Sequence, residues 1–273
     1  MKRFTVVIIA LGIALSLFIF VGDRTADEPS SKVSTTTVFD EKQPNEMTVT
    51  VQSTAVTTSA PRSEEIKIRA KRIDVKKIVQ FPELLTGCEI TSLTMLLAYL
   101  GFDIDKVTLS RDFLPKMSFY TKNNVYYGAD FTTTFAGDPE DPYSYGCYAP
   151  CIVTAANNYL KTQNTKLAAH DISGSELESL LTDYIDKDIP VLIWITSKNL
   201  QPSRPTSVWT TPEGKKVQWL SNEHCVVLTG YDLDKKIVHT ADPMNTTEDY
   251  TSYDMDTLKQ RYNELGKQCV RIG

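Results

Sequence analysis

The stretch Leu84–Gly101, LLTGCEITSLTMLLAYLG, places a cysteine where a helix should begin. Thr86 and Glu89 stand three apart directly before an apolar run, the spacing of a capping box with Thr86 as N-cap. Ile90, Leu93, Leu97 and Leu100 recur at helical spacing, Met95 and Leu96 widen the stripe, and Gly101 suits the C′ position. An amphipathic helix is expected, with Cys88 in its first turn. Unpaired backbone N–H groups and the helix dipole favour a thiolate there. Glu89 opposes this through its charge, but in a capping box its side chain folds back onto the cap. On these grounds alone Cys88 is a buried hydrophobe, half of a disulfide, or a nucleophile that needs a base.

The base is found far along the chain, in NEHCVVLTGYDLDKKIVHTADP (222–243). His224 to Gly230 reads as a buried strand, DLDKK as a polar turn, and Lys236 to Thr240 as the return strand. A hairpin sets the start of the first strand beside the end of the second, which brings His224 to Asp242. That is the placement of an orienting pair: Asp242 accepts from one imidazole nitrogen and the other is expected to face Cys88. Cys225, next to His224, should point to the opposite sheet face and read as core. Of the three histidines, His239 lies mid-strand and His170 in an expected loop, and both are weaker bases.

Outward from these motifs, the 273 residues divide by composition. Met1-Lys2-Arg3 precedes an apolar run from Phe4 to Val21. That run is longer than the usual signal-peptide core and reaches the roughly 17–25 residues that span a bilayer. Residues 1–22 are expected to form a membrane anchor, with a cleaved signal peptide as the alternative. The flanking charge puts the remainder outside the cytoplasm, on the extracellular face of the membrane or secreted. Residues 23–65 are rich in Ser and Thr without hydrophobic periodicity, and are expected to be a disordered linker. Residues 66–273 are globular in composition and long enough for one domain. The formal net charge of −5 leaves no dominant basic surface and argues against nucleic acid as a partner.

Within the domain, residues 103–146 are polar and aromatic with little periodicity, fitting either a substrate groove or an irregular insertion. Cys147 and Cys151 are four apart beside Pro150 at an expected helix start, and core packing leads over a local disulfide or a second reactive pair. A zinc site would need further ligands at suitable spacing, so neither metal nor cofactor is expected. SGSELESLLTDYIDKDIP (173–190) reads as a capped helix leading into the strand Val191 to Thr196. WTTPEGKKVQWL (209–220) reads as a hairpin tipped by Glu213-Gly214, with Trp209 and Trp219 in the core. A further helix in DMDTLKQRYNELG (254–266) precedes a final strand, Gln268 to Ile272. Helices first and strands later indicate an α+β fold.

QFPELLTGCEITSLTMLLAYLG (80–101), YGCYAPCIVTAANNYL (145–160) and NEHCVVLTGYDLD with TADP (222–234, 240–243) together resemble extracellular members of the bacteriocin-processing cysteine peptidases. These are the double-glycine leader peptidase-like family, number thirty-nine among cysteine peptidases. The resemblance runs from about Val75 to the C-terminus. It implies a papain-like fold, with a helical first part bearing the nucleophile at a helix start and an antiparallel sheet carrying His and Asp. It also implies Cys88 as nucleophile, His224 as general base, Asp242 as its orienter, and Gln80 as oxyanion-hole donor. Transporter-linked members carry a DCG-like core around the cysteine, where this chain has Gly87-Cys88-Glu89. The sequence shows neither a transporter span bundle nor a Walker A motif, so the match is closer to stand-alone surface relatives.

The expected function is an extracytoplasmic cysteine peptidase working through a Cys-His-Asp triad and a thioester, with a peptide or protein substrate. The alternatives are a cell-wall amidase or transpeptidase using the same triad, and a non-catalytic surface binding module.

Overall fold

A computed structural model describes residues 68–273. The anchor and linker expected at 1–22 and 23–65 lie outside the described residues. Among the described residues, no helix is long and apolar enough to cross a membrane.

The first half of the domain contains β1 (Ala70–Arg72), α1 (Cys88–Tyr99), α2 (Lys106–Phe113), β2 (Lys116–Met117), β3 (Tyr120–Lys122), β4 (Val125–Tyr127), β5 (Phe135–Ala136) and α3 (Ala149–Leu160). The second half contains β6 (Ala169–Asp171), α4 (Leu177–Asp183), β7 (Val191–Thr196), α5 (Ser197–Leu200), β8 (Pro205–Thr210), β9 (Lys216–Leu220), β10 (Glu223–Asp232), β11 (Ile237–Ala241), β12 (Thr251–Asp254), α6 (Met255–Glu264) and β13 (Cys269–Ile272).

The main sheet is antiparallel, in the order β12-β11-β10-β7-β13-β6, as the α+β reading requires. Its longest strand, β10, pairs along its first part with β7 and at its far end with β1, while β11 runs along its other side. VLIWIT of β7 is buried at every position, which suits a central strand covered on both faces. Helix α1 packs on β10 and β7, and α6 on β7, β11 and β12.

Helix α1 departs from the amphipathic expectation. All residues from Cys88 to Leu97 are buried, polar ones included. Enclosed by β10, β7, α2 and α3, it has no solvated face over these turns, and its hydroxyls find partners inside. Ser92 Oγ donates to the Cys225 carbonyl at 3.0 Å and Thr94 Oγ1 to the Ile90 carbonyl at 2.8 Å. Gly101, with φ +88°, closes the helix as the C′ glycine.

The capping box does not form. Gly87 is the N-cap and makes no side-chain cap bond. Thr86 instead donates from Oγ1 to the Asp141 carbonyl at 3.1 Å, and its N–H donates to the Pro139 carbonyl at 3.0 Å. These bonds fasten the 138–141 loop over the helix start and free Glu89 to turn inward.

The 103–146 segment is more ordered than its composition suggests. Asp105 caps α2 by accepting from the Val107 and Thr108 amides at 3.0 and 2.9 Å, a signal the absence of strong periodicity concealed. β3 and β4 join the 205–220 hairpin in a second sheet, β3-β4-β8-β9. Phe119, Phe131, Tyr145 and Tyr148 pack with Trp209 and Trp219, their ring centroids about 5.0–6.5 Å apart. Each such ring pair adds about 0.5–1.5 kcal/mol beyond its burial. Trp209 and Trp219 are thus core residues, and Trp209 Nε1 is satisfied by the Ala129 carbonyl at 2.7 Å. His170 lies in β6 rather than a loop, and its ring contacts the Gly273 carbonyl. All five cysteines are free and buried.

Candidate active site

The hairpin of β10 and β11 does what its pattern implies. Ala241 pairs with Val227, so the chain leaving β11 turns back beside the start of β10. His224 Nε2 and Asp242 Oδ1 meet at 2.7 Å, with the two residues 1% and 6% exposed. The same carboxylate accepts from the Met244 amide at 2.8 Å and from the Tyr253 hydroxyl, on β12, at 3.0 Å. Burial alone would raise the Asp242 carboxyl, but His224 and these donors hold it below the ordinary carboxylate range. The pair opens onto a cleft of about 220 Å³, lined by Ser197, Asn199, Met244, Asn245, Thr251 and Tyr253 as well as the pair itself.

Gln80 is tied to the same corner. Its backbone N–H donates to the Pro243 carbonyl at 2.9 Å, next to Asp242. Its side chain is 2% exposed, and Nε2 donates to the Leu84 and Leu85 carbonyls at 3.1 and 3.3 Å. The amide therefore faces the segment that leads into Cys88 and is already engaged there.

Cys88 is the first residue of α1 and is 7% exposed. Its Sγ lies 3.3 Å from Glu89 Oε2 and receives the Cys225 N–H at 3.4 Å. The expected hydrogen bond to His224 is not made: among the described residues His224 Nδ1 has no partner. Nor does the helix start lower the thiol. Burial, followed by the charges of Glu89 and Glu223, pushes Cys88 well above the ordinary thiol range, and the Cys225 N–H offsets only part of that. The thiol is neutral in this arrangement.

Two acidic residues define the sulfur's surroundings: Glu89, expected to fold back onto the cap, and Glu223, to which the sequence pattern gives no role. Glu89 is fully buried, and its Oε1 accepts from the Cys147 amide at 2.7 Å. Glu223 begins β10, and its buried Oε1 has no partner among the described residues. A carboxylate oxygen from each lies within 4.8 Å of the other and of Cys88 Sγ. Gly146 makes room for both: a Cβ there would stand 2.4 Å from Glu89 Oε1 and 3.0 Å from Glu223 Oε2. Burial raises Glu89 to about 7, against the pull of its amide and thiol donors. Burial and the neighbouring Glu89 raise Glu223 well above the carboxylate range. Glu223 directly precedes His224 on β10, so one strand end carries both an acid beside the sulfur and the imidazole. No local signal marks this acid pair. Glu89 reads as a cap and Glu223 as a strand end until the fold brings them together.

The arrangement thus holds an oriented imidazole, a thiol at a helix start and a buried amide within one corner. Residues 72–270 match the family described as Peptidase_C39 like. The uncharacterized protein YvpB of Bacillus subtilis strain 168 is 30% identical over 230 residues, covering 84% of this chain and 86% of that protein. A crystal structure from Bacillus anthracis, assigned as a C39-like peptidase, superposes with a TM-score of 0.63 at 30% identity, covering 74% of this chain and 97% of the other.

Proposed function

From the premise that this chain belongs to the Peptidase_C39 like family, we propose that it is a cysteine peptidase in which Cys88, His224 and Asp242 act in sequence. The observation that carries the reading is the buried His224–Asp242 pair at 2.7 Å, formed beside a cysteine that opens a helix. An imidazole held by a carboxylate on one nitrogen and unpartnered on the other is prepared to take a proton.

Catalysis begins when Cys88 Sγ leaves Glu89 and passes its proton to His224 Nδ1. Asp242 then faces an imidazolium, and its depressed proton affinity keeps it a carboxylate throughout. The thiolate attacks the substrate carbonyl carbon, and the carbonyl electrons move to oxygen. The Cys88 N–H and the Gln80 amide are the donors to that oxyanion. For Gln80 this requires one N–H to turn from the Leu84 or Leu85 carbonyl. Donors of this kind contribute about 10²–10³ in rate. As the C–N bond breaks, the departing amine takes the proton from His224. Water, deprotonated by the same imidazole, hydrolyses the thioester and restores the thiol. The polar cleft lined by His224 and Asp242 suits a segment of the bound peptide. The basic-then-apolar N-terminus supports an extracytoplasmic setting, with membrane attachment through residues 1–22.

Labelling with a thiol-directed active-site probe, followed by peptide mapping, tests the reading without a known substrate. The expected result is modification of Cys88 in reducing buffer and none in Cys88→Ala. Wild-type protein left unlabelled at Cys88 ends it.

A further inference from the structure

The catalytic reading uses His224, Asp242 and Gln80 but leaves two buried carboxyls beside the sulfur without a task. Glu89 Oε2 stands 3.3 Å from Cys88 Sγ, closer than the Cys225 N–H. Its other oxygen is fixed by the Cys147 amide, so the carboxyl is held in place on two sides. Glu223 contributes an oxygen within 4.8 Å of both, and Gly146 keeps the space open. Among the described residues no lysine or arginine forms an ion pair with either carboxyl. The groups facing them are Cys88 on α1, Cys147 and Tyr148 before and at the start of α3, and His224 and Cys225 on β10. Two negative charges cannot persist this close together in a dry, uncompensated site, so at least one carboxyl keeps its proton.

We propose that Glu89, with Glu223 as its protonated neighbour, is a positioning residue for Cys88. As a carboxylate it accepts the S–H proton and holds the thiol neutral and away from His224. As an acid it releases the sulfur to His224 and donates to the thiolate that forms. The inference rests on the reading of Cys88 as nucleophile. Protons balance: on the releasing side the S–H proton moves to His224 Nδ1, and the carboxyl pair keeps its own.

The sign follows from the carboxyl that titrates. Glu89 is raised to about 7, so it is an acid below that pH and a carboxylate above it. Burial and the neighbouring Glu89 push Glu223 well above the carboxylate range, so Glu223 is the member of the pair assigned the retained proton. The thiol is therefore released on the mildly acidic side and restrained on the alkaline side, opposite to a free thiol, whose reactivity climbs until about pH 8.5.

The test is the rate of Cys88 alkylation by iodoacetamide between about pH 5.5 and pH 8.5, read by peptide mapping in the full chain. Wild-type protein should stop gaining rate above about pH 7. Glu89→Gln keeps an acceptor for the Cys147 amide and presents an N–H to sulfur. It should match wild type at the acidic end and exceed it about tenfold at the alkaline end, one pKa unit being tenfold. Glu223→Gln replaces one neutral group by another and should leave the profile in place. A wild-type rate that climbs steadily like a free thiol overturns the proposal, and so does a Glu89→Gln profile that follows wild type. Acceleration in Glu223→Gln across the range shows Glu223 to be charged and also overturns it. Cys88 alkylated in wild type, with the Glu89→Gln profile unchanged, removes this inference and leaves the nucleophile standing. Cys88 unreactive at every pH removes both.

Discussion

The two halves of the site are built on opposite electrostatic plans. On the His224 side, the groups bonded to the Asp242 carboxylate are donors: an imidazole, a backbone amide and a tyrosine hydroxyl. That environment favours charge, and the Asp242 carboxyl stays ionised despite burial. On the Cys88 side the neighbours are acids. Burial, reinforced by these carboxyls, penalises a thiolate there, and the thiol stays protonated. The His224–Asp242 pair is already formed, while the Cys88 thiol is held protonated. Burial pushes both groups towards the neutral form, and the difference teaches that neighbours decide whether that push is overcome, as at Asp242, or reinforced, as at Cys88.

The hardest blow to this contrast is His224→Ala. It should lower both peptide hydrolysis and Cys88 alkylation by about 10²–10⁴, the usual worth of a general base. Alkylation that is unchanged would show the two sides to be uncoupled. Gln80→Ala should cost about 10²–10³ in kcat, with KM little altered, if its amide turns to the oxyanion. An effect on melting temperature alone would assign Gln80 to holding the Leu84–Leu85 carbonyls. The finest probe is Tyr253→Phe, which removes one donor from Asp242 while leaving the His224 contact. A loss of about ten- to a hundredfold in kcat/KM is expected, one charge-assisted hydrogen bond being worth about 1.5–3 kcal/mol. A variant with wild-type rate would show the Met244 amide to be sufficient for orienting the carboxylate.

Much of the second half of the domain was legible because its signals are local. The turn DLDKK between two apolar runs is enough to predict the hairpin, and the hairpin is enough to bring His224 to Asp242. VLIWIT reads as a buried strand by itself and occupies the sheet as β7. Helix α1 was found, but its surroundings were not. The pattern that reads as one apolar stripe belongs to a helix buried on all sides over most of its length, because other elements close over its Ser and Thr face. Thr86 and Glu89 have the right spacing for a capping box, and tertiary partners outbid it: the 138–141 loop takes Thr86 and the Cys147 amide takes Glu89. Helix α2 was missed because its stripe is short and its main signal is a single capping aspartate.

The amino-acid sequence alone determined which groups can do chemistry and that a strand reversal joins His224 to Asp242, since turn residues and alternation act over a few positions. Only the tertiary structure decided where the sulfur points and whether it is charged. Glu89, Cys147, Glu223 and Cys225 come from three separate parts of the chain, and the energy of a buried charge depends on what lies within a few ångströms in space, whatever its distance along the sequence.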